Sequence, residues 1–381
     1  DKIDTRKIPV QIWYPASEKS DSLYPYMDYP EIRINSISER IEKPKGFVRP
    51  ASSVKGNSFY KAKPIDKKFP LIIFSHGLGG YKTQNSIAIE ALVSMGYIVI
   101  APDHTYDANV TIFNDGTSID FDSELPPGVS EKEFWSVRLP QINTRSSDIS
   151  FVIDKLQTMK DYEVYSSIDF NNIGVFGHSF GGATSVVSSW NDTRISACLN
   201  LDGWFVPIVD EIINTGIKIP FCYIGQESWG KDTLNYDKLD KFYSNCISDI
   251  YLLKIKGTEH NDFADLPHFS NIGRMITSGK NVDKEFAKKI SYSIVGFFLI
   301  SVSLLMVSKV PTFSLKRSRI PNSFVLPIML LVALLTVFLV TETWVTLALM
   351  GFGYLLSIPF SCFSFYRLVN NVNYRGNNGK N

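Results

Sequence analysis

Ser179 stands at the centre of Gly177-His178-Ser179-Phe180-Gly181, where an apolar, strand-like run beginning at Ile173 gives way to small residues that open a helix. This Gly-x-Ser-x-Gly pattern is that of a nucleophile elbow. A serine hydroxyl is a weak nucleophile until it is held at a strained turn within reach of a base, and flanking glycines let strand and helix approach without a Cβ clash. The chemistry implied is attack on a carbonyl carbon. Such a reaction needs donors aimed at the developing oxyanion, one from the residue after the nucleophile and one from the loop after an early strand. Those donors are the backbone N–H groups of Phe180 and of Leu78, the latter within His76-Gly77-Leu78-Gly79-Gly80. A Gly-rich turn also suits a phosphate cradle, but no Gly-Lys-Ser/Thr follows it here.

A serine nucleophile also needs a neutral histidine oriented by a buried carboxylate. His76 and His178 lie inside the two Gly motifs and are expected to orient those turns, while His104 precedes the serine. Of the two histidines that follow it, His260 sits just past an apolar run and is preferred to His268, which lies further out beside Pro267. For the acid, Asp202 at the end of Ile195–Leu201 competes with Glu227 at the end of the next run. Asp202 is preferred because Gly203-Trp204-Phe205 would bury it, and burial strengthens a carboxylate–imidazole pair. Ser179, Asp202 and His260 then follow the α/β-hydrolase order of nucleophile, acid, base.

The elements that must position these residues are visible as short apolar runs. Ile8–Tyr14 alternates like an outer strand; Phe69–Ser75 resembles a strand buried on both faces of a parallel sheet, Gly96–Ala101 the next buried strand, and Ile173–Gly177, Ile195–Leu201, Ile217–Gly225 and Ile250–Ile255 further short strands. Ser86–Met95 and Arg145–Leu156 have helical spacing. Alternation of the two kinds predicts an α/β fold with a mostly parallel, doubly wound sheet. Ser17–Lys68, rich in Pro, Tyr, Ser and charge, is expected to wander as a loop over the sheet. Thr105–Pro140 is expected to be an insertion above the sheet's C-terminal edge, where it would shape the acyl pocket.

The net charge of +1 and well-mixed acidic and basic residues argue against a nucleic-acid partner. The four cysteines show no metal-ligand spacing, so buried free thiols are expected rather than zinc ligands or disulfides, and neither a metal nor a cofactor is required. The chain begins with Asp1 rather than Met, which leaves room for a preceding signal or anchor.

Composition changes near Ile290. Residues 1–289 form the expected catalytic domain, residues 290–308 its final helix or a first membrane span, and residues 309–381 a membrane region. Phe324–Val340 and Trp344–Tyr366 carry no charge and, as helices, would extend roughly 25 and 35 Å, enough to cross a bilayer core of about 30 Å. C-terminal transmembrane helices are therefore expected. Ile290–Ser308 is also uncharged; a third span there would put the catalytic domain outside the cytoplasm, given the basic loop from Lys309 to Arg319 and the basic tail.

Phe-Ser-His-Gly-Leu-Gly-Gly from Phe74, Gly-His-Ser-Phe-Gly-Gly-Ala-Thr from Gly177, Leu-Asp-Gly-Trp from Leu201 and Lys-Gly-Thr-Glu-His-Asn-Asp-Phe-Ala-Asp from Lys256 resemble the platelet-activating factor acetylhydrolases of the plasma, lipoprotein-associated type and their microbial relatives. The likeness covers about residues 5 to 300. It implies an α/β-hydrolase fold, a triad of Ser179, Asp202 and His260, oxyanion donors at Leu78 and Phe180, and calcium-independent release of short or oxidised acyl chains from phospholipids. The hydrophobic tail departs from that pattern and implies contact with membrane lipid. The alternatives are a general short-chain or polymer esterase or lipase of the same fold, and a non-catalytic hydrolase-fold binding protein held at a membrane.

Overall fold

The computed structural model describes residues 5–227, 229 and 233–269. These lie in the first of the two units into which the chain divides, Asp1–Val302 and Ser303–Asn381. The expected boundary near Ile290 and the expected spans fall outside the described residues. Among the described residues, no helix is long and apolar enough to cross a membrane.

Among the described residues, seven of eleven strands make one sheet. In chain order the strands are β1 (Val10–Trp13), β2 (Leu23–Pro25), β3 (Lys55–Phe59), β4 (Phe69–Ser75), β5 (Ile98–Pro102), β6 (Val110–Ile112), β7 (Ser118–Asp120), β8 (Ile168–His178), β9 (Ile195–Leu201), β10 (Phe221–Gln226) and β11 (Ile250–Ile255). The main sheet runs β1-β5-β4-β8-β9-β10-β11, with β1 antiparallel to β5 and every other pairing parallel; β2-β3 and β6-β7 are small antiparallel pairs. Central strands are buried on both faces, as their unbroken Val, Ile, Leu and Phe content requires: Leu71, Ile73, Ile98, Ile100 and Ile173 are fully inaccessible.

The helices are α1 (Pro30–Arg40), α2 (Lys45–Val48), α3 (Ser86–Ser94), α4 (Glu131–Thr158), α5 (Phe180–Asn191), α6 (Asp210–Thr215), α7 (Thr233–Asn245) and α8 (Leu266–Phe269). Two differ from expectation. Helix α4 begins well before Arg145, because Ser130 and Glu133 form a reciprocal capping box, and it continues through Pro140. Its buried stripe of Ile142, Ile149, Val152, Ile153 and Leu156 packs into the core under the sheet. The Thr105–Pro140 stretch is therefore in part the β6-β7 hairpin and the opening of this helix.

The second difference is α1, which occupies the expected loop. Ile34 and Ile37 bury against Tyr26, Met27, Val48 and Tyr81 in a separate small core. Arg33, almost fully buried, is held by Asp28 and by Asp103 at 3.1 Å, while Lys82 reaches Asp28 at 2.5 Å and Asp103 at 3.2 Å. A buried cation is tolerated only when paired in this way. Four charged residues that composition alone assigns to solvent thus pin α1 over the C-terminal end of the sheet.

Candidate active site

Ser179 lies between β8 and α5 with φ 57° and ψ −122°, a conformation that costs a non-glycine residue of the order of 1–3 kcal/mol. The turn persists because its surroundings over-determine it. The Ser179 N–H donates to Leu201 O at 3.0 Å, and its carbonyl accepts from Gly182 and Trp204, each at 3.0 Å. No side chain fits at the neighbouring glycines: a methyl group on Gly181 would overlap Ser75 O, and one on Gly177 would overlap Gly181 O.

Asp202 follows β9, is fully buried and also has a positive φ of 44°. Its Oδ1 accepts from Tyr223 Oη at 3.1 Å and from the Gln226 N–H at 3.0 Å. Its Oδ2 accepts from Gln226 Nε2 at 2.8 Å and faces His260 Nδ1 at 2.6 Å. Four donors fix the Asp202 side chain in place, and facing its Oδ2 the His260 imidazole carries its proton on Nδ1 and leaves Nε2 as an acceptor. His260 enters from the turn after β11, its ring between those of Trp229, centroid at 4.9 Å, and His178, at 4.7 Å. Glu227 is exposed and stands apart from this arrangement. His268 bonds to Asp262 O at 3.0 Å.

A cavity of about 240 Å³ is lined by Ser179 and His260 together with Gly77, Leu78, Gly79 and Gly80. Around the two Gly-rich turns, the Gly77 N–H donates to Gln84 Oε1, Gly79 to Asp107 O, Gly80 to Gly77 O and Gly182 to Ser179 O. Among the described residues the N–H groups of Leu78 and Phe180 have no partner. The Thr105–Pro140 insertion is expected to shape the acyl pocket. Instead, α1 and the segments around it supply Tyr26, Ile37, Arg40 and Ile41, and the turn after β11 supplies Asn261, Ala264, Leu266 and Pro267; Asn109 is the contribution from the insertion.

The remaining histidines hold the turns. His178 Nε2 donates to His260 O at 3.0 Å and its Nδ1 accepts from Gln84 Nε2 at 2.9 Å; burial, with the nearby His260, pushes it down to about 3, so it is neutral. His76 Nδ1 donates to Gly77 O at 2.7 Å, and its Nε2 accepts from the His104 N–H at 3.1 Å. Beneath them lies a buried line that sequence reasoning missed: Ser75 Oγ to His104 Nε2 at 3.0 Å, His104 Nδ1 to Asp148 at 2.8 Å, and Arg6 on both oxygens of Asp148 at 2.8 Å. It repeats the serine–histidine–aspartate order, but Ser75 and His104 are fully inaccessible, so it braces the strand end that carries the Leu78 turn. Arg145, brought down to about 10 by burial, bonds to His76 O from the same side. Gln84 was missed as well, since a lone amide carries no motif.

Among the described residues, no group of three or more His, Cys, Asp or Glu side chains could hold a metal ion. Cys198 and Cys222 are buried free thiols whose ionisation burial pushes up, and Cys246 is half-buried.

A mixed α/β fold with a mostly parallel sheet, an elbow serine and a histidine–aspartate pair at one cavity places this chain beside the hydrolases. Its fold is similar to that of a ferulic acid esterase from Streptomyces cinnamoneus, with a TM-score of 0.60 and 21% identity, covering 83% of this chain and 86% of that one. Residues 4–304 match the family described as platelet-activating factor acetylhydrolase, isoform II, and the chain belongs to that family. It is 31% identical over 246 residues to the platelet-activating factor acetylhydrolase of Canis lupus familiaris, covering 58% of this chain and 54% of that protein. It is 25% identical to that of Gallus gallus, with 74% and 71% covered. A probable 1-alkyl-2-acetylglycerophosphocholine esterase of Arthroderma benhamiae is 28% identical, with 54% and 50% covered. The chain thus spans about half the length of most curated relatives it matches. Residues 323–359 also match the family described as CDP-alcohol phosphatidyltransferase 2, over too short a stretch to define the chain.

Proposed function

We propose that the chain is a serine carboxylester hydrolase that releases short or oxidised acyl groups from phospholipids of the platelet-activating factor type. The observation that carries this reading is the 2.6 Å contact between His260 Nδ1 and Asp202, with His260 and Ser179 both lining one cavity. His260 Nε2 takes the proton of Ser179 Oγ as that oxygen bonds to the ester carbonyl carbon. The N–H groups of Leu78 and Phe180 receive the oxyanion. Collapse of the tetrahedral intermediate breaks the bond to the alcohol, which leaves with the proton from His260. Water then attacks the acyl-enzyme by the same route and restores Ser179. Family membership supports the acyl and alcohol class; the site supports the reaction type.

The uncharged stretches Phe324–Val340 and Trp344–Tyr366 support attachment of this domain to a membrane by C-terminal helices.

The test is the Ser179→Ala variant in the full chain. Hydrolysis of 1-alkyl-2-acetylglycerophosphocholine should fall by about 10⁶ in kcat, as in comparable serine hydrolases, while the melting temperature holds. A fluorophosphonate probe should label the wild type and not the variant. Labelling that persists in the variant would overturn the assignment.

A further inference from the structure

Among the described residues that line the cavity, Arg40 carries the sole permanent charge: the other side chains are apolar, amide, hydroxyl or imidazole. It occupies the last turn of α1, where a cation suits the negative end of the helix dipole. A side chain extended into solvent would serve that end equally well. Arg40 instead folds over the cavity, with Cζ 4.2 Å from the centroid of the Phe121 ring. Its guanidinium also lies against Gly79, so closely that a methyl group there would overlap it. Gly79 has φ 68° and no side chain, and both properties are needed for the approach.

The guanidinium is held by contacts that do not consume its donors. The ring contact uses its face, and the nearest carboxylate, Glu124, is 3.9 Å away on a side chain 77% exposed, a pairing that solvent and salt weaken. Among the described residues no hydrogen bond to its N–H groups is present. Two other arginines near the sheet have their guanidinium groups held by carboxylates: Arg33 by two aspartates and Arg6 by both oxygens of Asp148. An arginine fork with free donors on a cavity wall is suited to a bidentate oxyanion ligand.

We propose that Arg40 forms an anion subsite that receives the phosphodiester of the substrate's alcohol part, and so selects esters of phosphorylated glycerol over uncharged esters. The inference rests on the ester-hydrolase reading above. It follows from position: Gly79, against which the guanidinium lies, is the residue after Leu78, so the anion site adjoins an oxyanion donor. In a glycerophospholipid the phosphorus is joined to the scissile carbonyl through only two carbons and two oxygens. A charge at that short, fixed separation fits a site one residue from the donor. A carboxylate at the far end of an oxidised acyl chain would stand at a distance that varies with chain length.

The experiment compares wild type, Arg40→Met and Arg40→Lys on three esters that share one alkylglycerol. These are the 2-acetyl ester with a 3-phosphocholine, the 2-acetyl ester with a 3-methyl ether, and the 2-glutaroyl ester with a 3-methyl ether. In Arg40→Met the ratio of kcat/KM for the first over the second should fall by about 10- to 100-fold, the worth of a charge-assisted hydrogen bond, mainly through KM. Arg40→Lys, which keeps the charge but loses the fork, should restore part of the ratio. A ratio unchanged within about twofold would overturn the proposal, and so would a loss confined to the glutaroyl ester. Calorimetric binding of a short-chain diether glycerophosphocholine, which cannot be hydrolysed, separates the two readings. Weaker binding to Arg40→Met in a chain that hydrolyses none of the esters would uphold the subsite and sink the hydrolase; equal binding to both proteins would sink the subsite.

Discussion

Gln84 Nε2 donates to Nδ1 of His178 at 2.9 Å, and through that bond the turn carrying Leu78 is tied to the turn carrying His260. The other end of the same amide accepts from the Gly77 N–H at 2.9 Å, while His178 Nε2 donates to His260 O at 3.0 Å. Two further bonds repeat the connection, the Asp265 N–H donating to Gln84 O at 2.9 Å and the side-chain Nδ2 of Asn85 donating to Phe263 O at 2.6 Å.

Gln84→Leu removes both side-chain bonds and leaves Nδ1 of His178 buried without a donor, at a cost of about 1–3 kcal/mol. The expected result is a lower melting temperature and a kcat for acetyl esters reduced about 10-fold, with KM changed much less, because the turns move relative to one another while the walls stay. Steady-state kinetics with thermal melting check this. A variant that melts earlier with unaltered kcat would show that the bridge serves stability alone.

Asp202→Asn should lower kcat by about 10⁴. The amide would offer an N–H where His260 now presents one, forcing the imidazole toward the other tautomer. Gln226 Nε2, which now donates to the same carboxylate oxygen, would oppose that amide in addition. Glu227→Gln, at an exposed carboxylate, should leave kcat within about twofold of wild type, as surface substitutions usually do. Reversal of the two results would move the acid to the end of β10.

The sequence exposed those parts of the site that follow from burial and from motif. Strands β4 and β9 have the expected limits because strands covered on both faces must be continuously apolar, while β11, a half-exposed strand at the edge of the sheet, is marked by its Ile-Tyr-Leu-Leu run. Asp202 was preferred to Glu227 because Gly203-Trp204-Phe205 implied burial, and Phe205 is indeed inaccessible. Helix α1 was hidden for the converse reason. Its docking depends on Arg33, Asp28, Lys82 and Asp103 neutralising one another inside the protein, and charges that cancel in three dimensions look like a solvated surface in one. The brace from Ser75 through His104 to Asp148 joins β4, the end of β5 and α4, so no local spacing announces it.

Stability should fall as the pH drops below neutrality, and before most carboxylates titrate. Burial pushes His178 down to about 3, and also pushes down His76 and His104, so these imidazoles remain neutral in the folded protein. In the unfolded chain they protonate near pH 6.5, so below that pH the unfolded state binds more protons. Their stabilisation is complete above about pH 6.5 and is lost progressively as pH falls toward the folded values. Asp148, brought to about 2 by Arg6 and His104 against the effect of burial, adds a loss only below about pH 4. Asp265 acts in the opposite sense, since burial raises its carboxyl and acid relieves that penalty. Urea midpoints should therefore decline from pH 7 to pH 5 in the wild type and more steeply in Asp265→Asn. A flat profile in that variant would mean that the buried histidines are not held neutral.

For the membrane attachment proposed above, the side that the hydrolase domain would take can be argued from charge, because basic loops remain in the cytoplasm. Lys309, Lys316, Arg317 and Arg319 lie before Phe324–Val340, and Arg367, Arg375 and Lys380 lie after Trp344–Tyr366, with Glu342 between the two stretches. Both basic segments inside and Glu342 outside satisfy the rule whether the chain has two spans or three. The choice turns on Ile290–Ser308, whose second half, Leu299–Val307, has no charged face, whereas a helix packed on a sheet keeps a polar side toward water. That favours a third span, which carries the domain across. Protease added to intact cells should then digest or release the esterase, and a Cys introduced near Glu342 should react with an impermeant maleimide. Complete protection of the esterase until lysis, with the residue near Glu342 still labelled, would place the domain in the cytoplasm and make Ile290–Ser308 an ordinary core helix.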